Sequence, residues 1–185
     1  MNERLAEKEK RERLESGRRI EQLIYNRLQQ IGFNLRKPNS HEDMTQKVDA
    51  WYHTKENKRV GIQIKFRQSG SDLLFEVYDT FVDFKHPQNK LGRDMIGCAE
   101  LYAVMVNDEL IVVKKQKAID AINEMMDEAR CNGWSGGRET KTLYYESEGH
   151  ELVLKMQSDP HDGRKKIVAY IPKQFFDCVE YSMSA

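Results

Sequence analysis

The segment Val60-Gly61-Ile62-Gln63-Ile64-Lys65-Phe66-Arg67 alternates with a period of two. In an extended chain that period sends Val60, Ile62, Ile64 and Phe66 to one face and Gln63, Lys65 and Arg67 to the other. The pattern predicts a strand with a buried apolar face and a polar, cationic one. Upstream, Gln46 to His53 also reads as a strand, and Thr54-Lys55-Glu56-Asn57-Lys58 supplies turn chemistry between the two, so the pair predicts a β-hairpin. Asp49 shares a face with Gln63 and Lys65 only in an even register, such as 49 opposite 63. An odd-length loop such as 54–58, or a bulge, provides that register; a four-residue loop at 55–58 without a bulge puts Asp49 on the wrong face.

Grouped in this way, the residues have a shared chemistry. Mg²⁺ is a hard cation that takes oxygen ligands and keeps several waters. Asp49 supplies a carboxylate, Gln63 a neutral amide oxygen and Ile64 a main-chain carbonyl, a set of low charge from which modest metal affinity is expected. Lys65 beside such a cation would orient or help deprotonate an attacking water and stabilise charge on a pentacovalent phosphate. Each residue has a plainer role as well: Asp49 in a structural salt bridge to Lys65, Lys65 as an edge-strand lysine that blocks aggregation, and Glu21 as a solvated acid on a charged helix.

The run Arg18-Arg19-Ile20-Glu21-Gln22-Leu23-Ile24, followed by Ile31-Gly32-Phe33, then Val48-Asp49, then Gln63-Ile64-Lys65, resembles the PD-(D/E)xK nuclease superfamily, which includes restriction endonucleases and archaeal-type Holliday junction resolvases. The resemblance covers roughly residues 18 to 68. It implies an α/β fold with a central mixed β-sheet flanked by helices, restriction-endonuclease-like, here with extra C-terminal strands and a helix. It implies Glu21, Asp49, Gln63 and Lys65 as catalytic residues, with Glu21 relaying a water. The metal ligands would be Asp49, Gln63 and Ile64, the cofactor Mg²⁺ or Mn²⁺, and the substrate DNA. Two positions depart from the pattern: Val48 stands where proline is common, and Gln63 replaces the second acid, as it does in some active members.

Thirty basic and thirty acidic residues cancel, so any nucleic-acid surface must be basic locally. Candidate patches are Arg18-Arg19, Lys65 with Arg67, Lys85 to Arg93, Lys114-Lys115-Lys117 and Arg164-Lys165-Lys166; Arg18, Arg67, Lys90 and Arg93 are the expected DNA contacts. Only convergence around Asp49 would make a groove of them.

At 185 residues, 39% hydrophobic and 32% charged, the chain fits one α/β domain, expected over 18–185, behind a charged helical extension at 1–17. Its apolar runs are far shorter than the ~20 residues of a membrane helix, and Met1-Asn2-Glu3-Arg4 lacks a signal-peptide core, so cytoplasmic residence and no membrane partner are expected. Cys98, Cys131 and Cys178 have no CxxC spacing and read as reduced thiols. Farther along, strands are expected at Leu73–Tyr78, Leu101–Val106 and Glu109–Val113, the last two joined at Asn107-Asp108, with a short helix over Asp94–Glu100. An amphipathic helix at Ala118–Arg130 is followed by strands at Thr142–Ser147, Glu151–Met156 and Ile167–Ile171, and a terminal helix from Pro172 through Tyr181. Two metal-capable stretches, His41-Glu42-Asp43 and Asp159-Pro160-His161-Asp162, read as turns.

The functional expectation is a divalent-metal-dependent nuclease on DNA, with branched or structured DNA suggested by analogy; a homodimer is compatible with it. The competing expectation is a catalytically impaired nuclease-fold module that binds nucleic acid or a protein partner, and a third is an assembly or inhibitor protein acting through residues 2–19.

Overall fold

The computed structural model describes residues 2–67, 72–106, 109–136, 140–159, 163–176 and 179–181, with side chains described from Glu15 to Phe176 within those stretches. In chain order the elements are α1 (Asn2–Gln30), β1 (Leu35–Arg36), α2 (Ser40–Gln46), β2 (Ala50–His53), β3 (Arg59–Arg67), β4 (Asp72–Thr80), β5 (Lys90–Leu91) and α3 (Arg93–Ile96). They continue with β6 (Leu101–Val106), β7 (Glu109–Lys114), α4 (Lys115–Cys131), β8 (Lys141–Ser147), β9 (His150–Ser158), β10 (Lys165–Pro172) and β11 (Val179–Tyr181).

The fold is α/β, with two sheets rather than the one central sheet expected. A six-stranded mixed sheet runs β1-β2-β3-β6-β7-β11, its single parallel pair being β3 with β6, and a five-stranded antiparallel sheet runs β5-β4-β10-β9-β8. The C-terminal strands β8, β9 and β10 thus join β4 and β5 in a second sheet, while β11 returns to the first.

Helix α1 lies on one face of the six-stranded sheet, where Ile24, Tyr25 and Leu28 pack on Ala50, Ile62, Ile64, Ala103, Met105 and Leu110. The stripe follows the 3.6-residue period, although Leu23, between Gln22 and Ile24, stands half exposed. The helix runs unbroken through Gly17, so the charged extension and the packed half are one element; it stops at Gly32, whose positive φ provides the left-handed turn that ends many helices. On the opposite face, Tyr102, Val104, Val106, Ile111 and Val113 pack against the five-stranded sheet and α4, with Ala118, Ala121, Ile122, Met125, Met126 and Ala129 facing inward.

The hairpin forms in the expected register: Ala50 pairs with Ile62 and His53 with Arg59 around the loop 54–58. Strand β3 lies between β2 and β6, in the interior of its sheet, so Lys65 is no edge-strand lysine. On the polar face of β3, α3 and β4 cover Gln63 and leave it fully buried, while Lys65 and Arg67 stay half-buried. After β10, a single 3₁₀ turn at Lys173–Phe175 replaces the expected terminal helix, and β11 then adds to β7. Burial of Phe175 and Phe176 in the main core fixes that change of direction. The 107–108 turn and most of the Asp159–Asp162 loop lie outside the described residues.

Candidate active site

Asp49 sits where β2 breaks off. Its N–H donates to the carbonyl of Ile62, the residue that pairs with Ala50, and its Oδ2 accepts the N–H of Ile64 at 2.7 Å. The side chain therefore replaces the acceptor that a longer β2 would have offered. In a strand, the N–H and C=O of one residue point to the same side, so the Ile64 carbonyl faces the Asp49 side as well. Asp49, Ile64, Glu21 and Asp43 line one cleft of 390 Å³, together with Arg18, Gln22, Tyr25, Lys37, Pro38, Asn39 and Ser40.

Glu21 reaches this cleft from α1. Partial burial raises the pKa of its carboxyl, and the negative charge of Asp49 raises it further, while Arg93 and Lys65 oppose the shift. Glu21 and Asp49 are thus coupled electrostatically. Burial also raises the Asp49 pKa, against the pull of Arg93, the Ile64 N–H and Lys65. Both carboxyls on this cleft are thus shifted upward, as is common where protons or cations are exchanged.

Lys65 does not pair with Asp49, as the structural reading had it. Asp49 Oδ1 instead accepts from the Arg93 guanidinium at 2.6 Å, and the same nitrogen lies 3.3 Å from Asp43 Oδ1. Lys65 Nζ lies 3.4 Å from Oδ1 of Asp94, which is fully buried. Asp94 was the residue missed in the sequence. Its Oδ1 accepts from Gln63 Nε2 at 2.6 Å and its Oδ2 from the Glu76 N–H at 2.7 Å. A carboxylate can only accept, so Asp94 holds the Gln63 amide with nitrogen inward and leaves Gln63 Oε1 buried without a partner. Nearby, Lys115 at the first position of α4 is buried and donates to the Gly97 carbonyl at 3.0 Å; burial lowers its pKa, with Asp94 pulling the other way.

The remaining candidates divide. Arg18 lines the cleft. Arg67 is engaged elsewhere, donating to the Asp72 carbonyl and lying over the Tyr170 ring, and Lys90 is exposed on β5 and does not line the cleft. The later patches are spent on local pairs: Lys117 with Glu148, Arg164 with Asp79, and Lys166 with Glu76, Asp79 and Asp159. The expected turn at 41–43 is the helix α2, opened by a reciprocal cap between Asn39 and Glu42. Glu42 is structural, accepting from Arg36 and Arg59 as well, whereas Asp43 reaches the cleft. Cys98 and Cys131 are free thiols.

A cation in this cleft would meet oxygen donors only, the Asp49 carboxylate and the Ile64 carbonyl. Gln63, expected as a further ligand, is fully buried against Asp94 and does not line the cleft. Among the described residues no three His, Cys, Asp or Glu side chains gather closely enough to hold a metal by themselves. The set fits a cation that keeps most of its water, such as Mg²⁺. No helix of the described residues is long and apolar enough to cross a membrane. No protein-family model, no curated protein and no solved structure matches the chain.

Proposed function

We propose that this chain is a divalent-metal-dependent nuclease of the PD-(D/E)xK type acting on DNA. The observation that carries the reading is that Glu21, Asp49 and Ile64 border one cleft and that both acids feel the charge of Lys65. Asp94 supports it, because a carboxylate stands against Gln63 and Lys65, where the sequence itself lacks the second acid. The Asp49 carboxylate and the Ile64 carbonyl would hold the cation, with water completing its shell. When bound, Mg²⁺ or Mn²⁺ supplies Lewis-acid stabilisation of phosphate charge and acidifies water. Lys65, braced by Asp94, is placed to stabilise charge on the phosphate. Glu21, with its raised pKa, is suited to accept a proton from water.

The competing reading, a module that binds without cleaving, draws on one observation: Arg93 already neutralises Asp49. A cleavage panel of plasmid, four-way junction and single-stranded DNA, with and without Mg²⁺ or Mn²⁺, separates the two. Cation-dependent cleavage lost in Asp49→Ala is expected. DNA binding with no cleavage of any substrate shape would favour the module.

A further inference from the structure

Two adjacent residues of α3 serve opposite halves of this site. Arg93 contacts the acidic half, Asp49 and Asp43, and Asp94 contacts Gln63 and Lys65. Their anchoring is unequal. Asp94 is fully buried and held by two hydrogen bonds and an ion pair. Its approach is fixed by Gly92, which donates to the Val77 carbonyl and where an added Cβ would collide with the Glu76 carbonyl group. The Arg93 side chain is 36% exposed and uses a single nitrogen for both of its carboxylates. Its Nε is buried with no acceptor. A guanidinium is built to present Nε and Nη together to two oxygens of one anion, and here half of that fork is unused.

We infer that Arg93 is an exchangeable occupant of the cation position at Asp49: a divalent cation binding there releases the guanidinium to grip a phosphate of the substrate. This rests on the metal-dependent reading above. The exchange follows from charge: Asp49 Oδ1 cannot serve a divalent cation and a guanidinium at hydrogen-bond distance together without strong like-charge repulsion in a partly buried place. Asp94 keeps the α3 backbone in position, so only a flexible side chain has to move. A phosphodiester offers the two-oxygen partner that the fork lacks, and Arg18 already lines the cleft with a further positive charge. Cation and phosphate are then coupled: each promotes the other, by the same factor in both directions.

The test is calorimetric titration of Mg²⁺ and Mn²⁺ into the full chain and into Arg93→Gln, followed by titration of a short oligonucleotide with and without Mg²⁺. Removing the internal competitor should tighten cation binding about tenfold, within the common range of coupling between sites, and cancel the gain in oligonucleotide affinity that Mg²⁺ gives the parent. NMR of the Arg93 Nε–H in the unmutated chain gives a readout that needs no variant; its resonance should shift as Mg²⁺ is added and again with oligonucleotide. Equal or weaker cation binding by Arg93→Gln, or an Nε–H signal indifferent to Mg²⁺ in a chain that does bind it, overturns the exchange and leaves the nuclease reading standing. A parent chain that binds neither cation at millimolar concentration overturns both.

Discussion

Gln63 and Asp94 meet in the interior, amide nitrogen to carboxylate oxygen at 2.6 Å, with neither side chain open to solvent. On sequence alone, Gln63→Glu should add a second carboxylate and tighten metal binding; the pairing reverses that expectation. A glutamate would face Asp94 directly, and two buried like charges either cost several kcal/mol or hold a shared proton. Gln63→Glu should lower stability by about 3 kcal/mol in urea denaturation, and the double change with Asp94→Asn, which returns the amide to the other partner, should recover most of it. Single and double variants of equal stability would remove the pairing from the account.

The raised pKa of Asp49 has a definite sign for cation binding. A protonated Asp49 cannot ligate, so affinity for Mg²⁺ should begin to fall at a higher pH than for an exposed aspartate as the solution is acidified. Titrations repeated across the acidic range check it; affinity flat down to normal carboxylate pKa values would contradict the burial argument.

Asp49 also raises Glu21. In Asp49→Asn that contribution disappears and Arg93 is left without its closest anion, so the Glu21 carboxyl should titrate at lower pH. Carbon-13 NMR of the side-chain carboxyl measures it, and an unmoved Glu21 would mean that the two acids do not share the cleft in solution.

For Lys65→Ala, cleavage should fall by about 10²-fold, the usual scale for losing an electrostatic or acid–base group, with DNA affinity little changed. Loss of affinity with a flatter salt dependence would instead make Lys65 a phosphate clamp. Cleavage equal to the parent would return it to a structural role beside Asp94.

Glu42 gives a stability test away from the chemistry. Its pKa is lowered, first by the Asn39 N–H and then by Arg36, with burial opposing. A lowered carboxylate pKa contributes stability above the unfolded value, and that contribution is lost as pH falls through the folded value. Glu42→Gln should therefore lower Tm at neutral pH, and the gap should close on acidification; a gap independent of pH would assign the loss to packing.

The hairpin, its register and the helix bearing Glu21 were legible because they rest on local signals: a two-residue alternation around Gln63, an odd loop at 54–58, and a helical stripe ending at Gly32. Asp94 was not. It lies 31 residues beyond Gln63 in a helix of four residues, and nothing in its neighbourhood marks an aspartate that will be buried rather than solvated. Arg93 reads from the sequence as a DNA contact, but its pairing with Asp49 depends on how α3 docks. The error at 172–181 has a similar origin: Pro172 is a fair helix start, yet the open edge of β7 and two buried phenylalanines decide the outcome.

The parallel pairing of β3 with β6 carries a kinetic consequence. Everything from β4 through α3 lies within the connection between those two strands. The acids at 21, 43 and 49 can come together once α1 and the hairpin have formed, while Arg93 and Asp94 reach them only when the long connection has closed, and non-local closure is slow. Between those events the acidic cleft stands without its arginine. Refolding in Mg²⁺ should then show cation capture in a phase ahead of final α3 docking, leaving the folding chain to meet the metal before it meets its own internal counter-ion.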